Sequence, residues 1–129
     1  MSAKSNYLEG KLVEHVLRNV AYTSPSAVYL SLHTANPDED GSGTEVSGNG
    51  YSRQAITFGA HSNGACANTS EETFTASGGS FGAVSHFGIW DSSSGSTNLL
   101  YYGALTATKT VADGDSLKFV AGSVTITEA

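Results

Sequence analysis

Residues 84–106, VSHFGIWDSSSGSTNLLYYGALT, hold the single Trp of the chain and its densest group of aromatic and apolar side chains. Val84, His86, Gly88 and Trp90 share one parity, Phe87 and Ile89 the other, and the SSSGSTN segment after Asp91 is built from residues that let a chain reverse. Residues 99–105 then return as a second apolar run. Two adjacent runs that are apolar on both parities suit strands near the middle of a sheet or sandwich, where neither face meets water. The spacing therefore predicts a β-hairpin that forms the core.

Outward from this hairpin the rest of the chain reads as short strands and turns. Residues 28–33 alternate Val28, Leu30 and Leu32 against Tyr29, Ser31 and His33, the period of a half-buried strand. Residues 51–58 regain strand character, 59–70 are small and polar enough for a loop or a weak edge strand, and 72–75 form a short strand before a Gly-rich turn at 76–82. Residues 106–115 read as a polar connection, and Leu117 with Phe119, then Val124 with Ile126, mark two last strands. One helix is expected at about 7–19. Asn6 and Glu9 have capping-box spacing, and Leu8, Leu12, Val13, Val16, Leu17 and Val20 lie along one helical face. Gly10 weakens that helix by about 1 kcal/mol relative to Ala, so the stripe must pack on the sandwich or on a neighbouring subunit. Residues 35–50, ANPDEDGSGTEVSGNG, are acidic, rich in Gly and Ser and nearly devoid of apolar side chains, which predicts a long exposed loop. The expected architecture is mainly β: a single antiparallel β-sandwich or jelly-roll-like domain over residues 1–129, with seven or eight short strands and one N-terminal helix.

Composition narrows the function. A chain of 129 residues has the length of one domain, and a formal charge of −6 with only six scattered Lys and Arg argues against nucleic acid. Cys66 is the only cysteine, so no intrachain disulfide is possible. The absence of an apolar leader or an 18-residue apolar run gives no support for a signal peptide or a membrane span, and synthesis in a cytoplasm is expected. In that setting the sequon at Asn68 reads as chance.

Four sets of residues could carry chemistry. Residues 78–82, GGSFG, have the G-x-S-x-G form of a nucleophile elbow, but a polar loop precedes Ser80 and an apolar strand follows it, where an elbow needs a buried strand and then a helix. Asp38 and Asp40, with Ser42, resemble the first half of a calcium loop, but the twelfth position is Asn49 and cannot close it with a bidentate carboxylate. They remain weak metal candidates. His15, His33, His61 and His86 are too dispersed to form a ligand motif. Trp90, Phe87, Tyr101 and Tyr102 could line a sugar-binding face, although their place in the most apolar strands favours the core. The expectation is of no enzyme, no cofactor and no metal.

The order of SNYLEGKLVEHVLRNVAYTSPSAVYLSLHTANP (5–37), GTEVSGNGYSRQAITFGA (43–60), VSHFGIWDSSSGSTNLLYYGALTATKTVADGDSLKF (84–119) and AGSVTIT (121–127) resembles a family of small tailed-bacteriophage proteins labelled tail fibre proteins. The resemblance covers nearly the whole chain, brings no catalytic residues with it, and implies a structural protein of the virion. Its partners would be other virion proteins, major capsid or tail proteins, and further copies of itself, with a trimer as one assembly. Two placements compete, a capsid decoration or cement protein and a tail fibre or adaptor, and a compact module without fibrous repeats moves weight toward capsid or adaptor. The interface or binding candidates are Leu8, Leu12 and Val16 on the helix stripe and Tyr51 and Arg53 after the acidic loop. A carbohydrate-binding module for host-surface recognition, using Tyr51 or Trp90, is the alternative.

Overall fold

A computed structural model describes residues 2–94 and 98–128 of the chain. The hairpin is its centre. β6 (Gly82–Trp90) and β7 (Leu99–Val111) pair antiparallel, with Phe87 opposite Gly103 and Ile89 opposite Tyr101. Residues 95–97 of the expected turn lie outside the described residues; at its edges Asp91 N–H donates to the Asn98 carbonyl, and the Asp91 carboxylate accepts from both Asn98 nitrogens. Phe87, Gly88, Ile89 and Trp90 are all buried, so both faces of the strand are covered, as its two apolar parities required.

A five-stranded antiparallel sheet grows from this pair in the order β1, β7, β6, β2, β3, where β1 is Ser2–Lys4, β2 is Val28–His33 and β3 is Gln54–Ile56. Two antiparallel ribbons complete the fold: β4 (Ala65–Ala67) with β9 (Thr125–Thr127), and β5 (Glu72–Thr75) with β8 (Ser116–Phe119). Leu30, Leu32, Val84 and Ile89 of the large sheet share one apolar cluster with Phe74, Leu117, Phe119 and Ile126 of the ribbons. The architecture is thus mainly β with sandwich-like layering. Cys66 sits in β4 opposite Ile126, half-buried against that cluster.

Several boundaries differ from expectation for physical reasons. β1 was unforeseen, because three residues carry no periodicity; with it the described residues contain nine strands. Ser5 caps α1 (Asn6–Leu17), not Asn6, because its backbone is already tied to the sheet. Ser5 N–H donates to the Leu100 carbonyl and its hydroxyl to that of Leu99, while Oγ accepts from Leu8 N–H at 3.2 Å. Asn19, in the left-handed region, ends the helix two residues early and turns Val20 N–H back to the Glu14 carbonyl. β7 runs through the segment expected to be a polar connection, and β3 is three residues long rather than the whole of 51–58.

The long loop at 35–50 is exposed at most positions but is strapped to the sheet. Pro37 and Val46 are buried, Thr34 N–H donates to Thr44, Val46 N–H donates to Leu32, and Asn6 N–H reaches Glu39. This strap also covers the polar face of β2, so Ser31 and His33 are buried along with Leu30 and Leu32. From Leu30 to His33 the half-buried strand of the sequence pattern is buried on both sides. Asn68, of the sequon, is buried too: its amide nitrogen donates to Ser70 and Val120 and its oxygen accepts from Val124 N–H.

Candidate functional site

The densest chemistry of the fold lies under the strap. The Arg53 guanidinium grips the Glu45 carboxylate through two bonds of 2.9 and 2.8 Å, donates to the Ser92 carbonyl at 3.0 Å, and lies 4.0 Å from the Trp90 ring centre. The Tyr51 hydroxyl donates to the same carboxylate at 2.6 Å and accepts from Leu32 N–H at 3.1 Å. Burial pushes the Glu45 carboxyl up, but hydrogen bonds from Arg53 and Tyr51 outweigh it and hold the group below its usual value. Burial and the hydrogen bond to Glu45 raise the Tyr51 phenol far above its usual range. The arrangement fastens the strap to β2, β3 and the hairpin at once.

At the edge of the indole, Trp90 Nε1–H donates to Ser31 Oγ at 2.7 Å, and Ser31 Oγ lies 2.7 Å from His33 Nε2 and 3.2 Å from the Gly88 carbonyl. Gly88 makes this contact possible: a Cβ there would lie 2.7 Å from Ser31 Oγ and 3.0 Å from Trp90 Nε1. At Gly41, in the left-handed region, a Cβ would come within 2.9 Å of the indole, so the strap closes over Trp90 only with glycine at that point. Ser31 and His33 have the reach of a nucleophile and its base. Both are wholly buried, however, and His33 Nδ1 finds no hydrogen-bond partner among the described residues to orient the ring. Burial lowers the His33 pKa, with the Glu45 charge opposing. The pair is sealed from solvent in this fold, where Ser31 braces the indole nitrogen and the Gly88 carbonyl.

The other sequence candidates are dispersed. Asp38 and Asp40 are exposed in the strap; Asp40 accepts from Ser42 N–H at 2.9 Å, and hydrogen bonding from the Ser42 side chain, then from its backbone, holds the carboxyl below the usual range. Among the described residues no three His, Cys, Asp or Glu side chains come together as a metal site. Ser80 donates to the Val111 carbonyl at 2.8 Å and accepts from Gly82 N–H, the bonding of a turn. His86 is bonded to Ser85, His15 to the Val20 carbonyl, and His61 is exposed. Of the proposed aromatic face, Trp90 is 7 % exposed, Phe87 is buried, and Tyr101 is bonded to Glu128, which also pairs with Lys4 and so ties the chain's two ends together.

The structure brings Tyr51 and Arg53 onto one carboxylate and separates them from the helix candidates. Leu8 points inward and is buried, and Leu12 is half-buried. Beyond them the stripe leaves the protein surface behind: Val13 is 53 % exposed, Val16 71 %, Leu17 76 % and Val20 47 %. Sequence reasoning missed Glu45 and Ser31, and weighed His33 only as one of four dispersed histidines. The only signal was the shared parity of Ser31 and His33, which reads equally well as a solvated face; nothing in the residue pattern marks Glu45 as the acceptor for the two donors six and eight residues further on.

Fold and cluster together describe a mainly β protein that spends its polar chemistry on holding a loop against a sheet. Residues 3–127 match the family described as podophage GP4 fiber I protein gp80, and the chain belongs to that family. It is a phage fibre-type protein, as the resemblance implied. No curated protein matches it.

Proposed function

We propose that the chain, acting as one module over residues 1–129, is a non-enzymatic structural component of a tailed-phage virion and works by association with its own copies and with other virion proteins. The observation that carries this reading is the uncovered stripe of α1, where Val13, Val16, Leu17 and Val20 form a contiguous apolar face on an otherwise acidic, polar surface. Leu8 and Leu12 anchor its inner end. Stable interfaces bury about 800 Å² per partner, more than four aliphatic side chains can supply. Association through this face must therefore recruit surface around the helix or several copies at once, and a trimer does both. The family's fibre description favours the tail over the capsid.

Sedimentation velocity on the wild type and on a Val16→Glu, Leu17→Glu variant tests the interface. The wild type should sediment as an oligomer and the variant as a folded monomer with an unchanged circular dichroism spectrum, since both side chains face away from the core of the single chain. Unchanged assembly in the variant would remove α1 from the interface. Copy number in purified particles tests the placement: a few copies support the tail, and copies in proportion to the capsid lattice support a decoration protein.

A further inference from the structure

A groove of about 330 Å³ opens between β7, β8 and the turn into β9. Its floor is the core itself: Phe87, Leu117, Phe119 and Val124 reach it from below. Its walls are runs of consecutive residues, Ala104–Ala107 on one side and Leu117–Phe119 on the other. Successive side chains of a strand point to opposite faces, so a groove touched by three or four in a row meets the strand at its edge and not at its face.

Both edges are open among the described residues. β1 covers β7 only along Tyr101, Tyr102 and Gly103, and β8 is paired on its β5 side alone. β7 also loses its partner on the other side here: Ala104 faces His86 and Lys109 faces Val84, so residues 105–108 bulge out of the ladder opposite Ser85 alone. Two strand edges with unmatched backbone donors and acceptors thus face one another across an apolar floor. The rim is basic. Lys109 and Lys118, two of only six Lys and Arg in a chain of charge −6, stand on opposite walls. Lys109 has no ion pair among the described residues, and Lys118 has only a loose, exposed contact to Glu71 at 3.9 Å.

We propose that this seam is a β-augmentation site that takes an extended segment of another polypeptide, apolar at alternate positions and flanked by Asp or Glu. Backbone bonds to the two edges would supply affinity, the floor would take the alternate apolar side chains, and the two lysines would hold the flanking carboxylates. The proposal rests on the reading of the chain as an assembly protein but uses a surface distinct from α1.

The test is an amide NMR titration of the full chain with a blocked seven-residue peptide that alternates valine and threonine between two terminal aspartates. Shifts confined to residues 104–109 and 117–119 are expected, and they should vanish when alternate peptide nitrogens are methylated. Reversing the rim with Lys109→Glu and Lys118→Glu should weaken this peptide about tenfold and favour the lysine-ended version, because two ion pairs become repulsions. Both substituted side chains are exposed, so folding is preserved. The idea is overturned if millimolar peptide moves none of these amides, if the methylated peptide binds equally well, or if a heparin oligosaccharide moves them more strongly than the peptide, which would make the groove an anion site. Loss of the wild-type oligomer in the rim variant would instead assign the seam to a second copy and overturn the separate-partner claim. The Val16→Glu, Leu17→Glu variant should keep peptide binding, so failure at α1 and failure at the seam are separable.

Discussion

Replacing Trp90 with alanine removes the hub on which the hairpin, the strap and the polar face of β2 meet. The ring is 7 % exposed. A buried Trp removes about 200 to 250 Å² from water, which at about 25 cal/mol per Å² is roughly 5 to 6 kcal/mol. A compact unfolded state already hides part of that area, which lowers the figure to about 4 kcal/mol. Loss of the Nε1–H bond to Ser31 and of the guanidinium contact with Arg53 adds about 1 kcal/mol each, and relaxation of the cavity returns some of it. The expected loss is about 4 to 5 kcal/mol, near the top of the range for large aromatic truncations and close to the whole stability of a marginal domain. Urea unfolding followed by far-ultraviolet circular dichroism measures it. Because Trp90 is the only Trp, wild-type fluorescence gives an independent check: the emission should be that of an indole shielded from water and should shift red on unfolding. A soluble Trp90→Ala variant that loses less than about 1 kcal/mol, or native emission at the wavelength of a hydrated indole, would refute the reasoning and return Trp90 to the surface.

Gly88→Ala should cost about 1 to 3 kcal/mol in the same urea experiment, since its Cβ would press on Ser31 Oγ and the indole nitrogen; a neutral result would show that the Trp90–Ser31 contact is not close. Acid should loosen the strap in two stages. His33, lowered by burial, stabilises the fold fully above its unfolded value of 6.5 and loses that contribution as pH falls from there toward its depressed folded value. Glu45, facing Arg53 and Tyr51, is held low, so its contribution is complete above 4.5 and is lost as pH drops toward its own folded value. Melting curves at pH 7, 5.5 and 4 should show falling midpoints, with the first drop absent in His33→Phe; a flat profile from pH 7 to 5.5 in the wild type would mean that His33 is not buried neutral.

How far the sequence can be read follows from the range of the forces involved. The hairpin was legible because two apolar parities and a run of turn residues are local signals that the tertiary structure had only to honour. Helix α1 was legible from its stripe, yet its cap was misplaced by one residue, because Ser5 is fixed by the carbonyls of Leu99 and Leu100 some ninety positions away. The acidic segment 35–50 reads as a free loop because its anchors are single residues. Glu45 becomes a clasp only when Tyr51 and Arg53 converge on it, and Gly41 matters only once the indole lies beneath it.

The candidate sites divide along the same line. The residue patterns alone determined a mainly β chain, acidic and without an intrachain disulfide, and the family resemblance added its phage fibre kind. Trp90 was already placed in the core by its apolar strand, but tertiary structure alone decided that Tyr51 and Arg53 turn inward while Val16 and Leu17 turn out. It alone set the edges of β7 and β8 face to face across an open seam. Periodicity shows which side chains share a face of an element, but whether that face meets core, water or another chain depends on where the other elements pack.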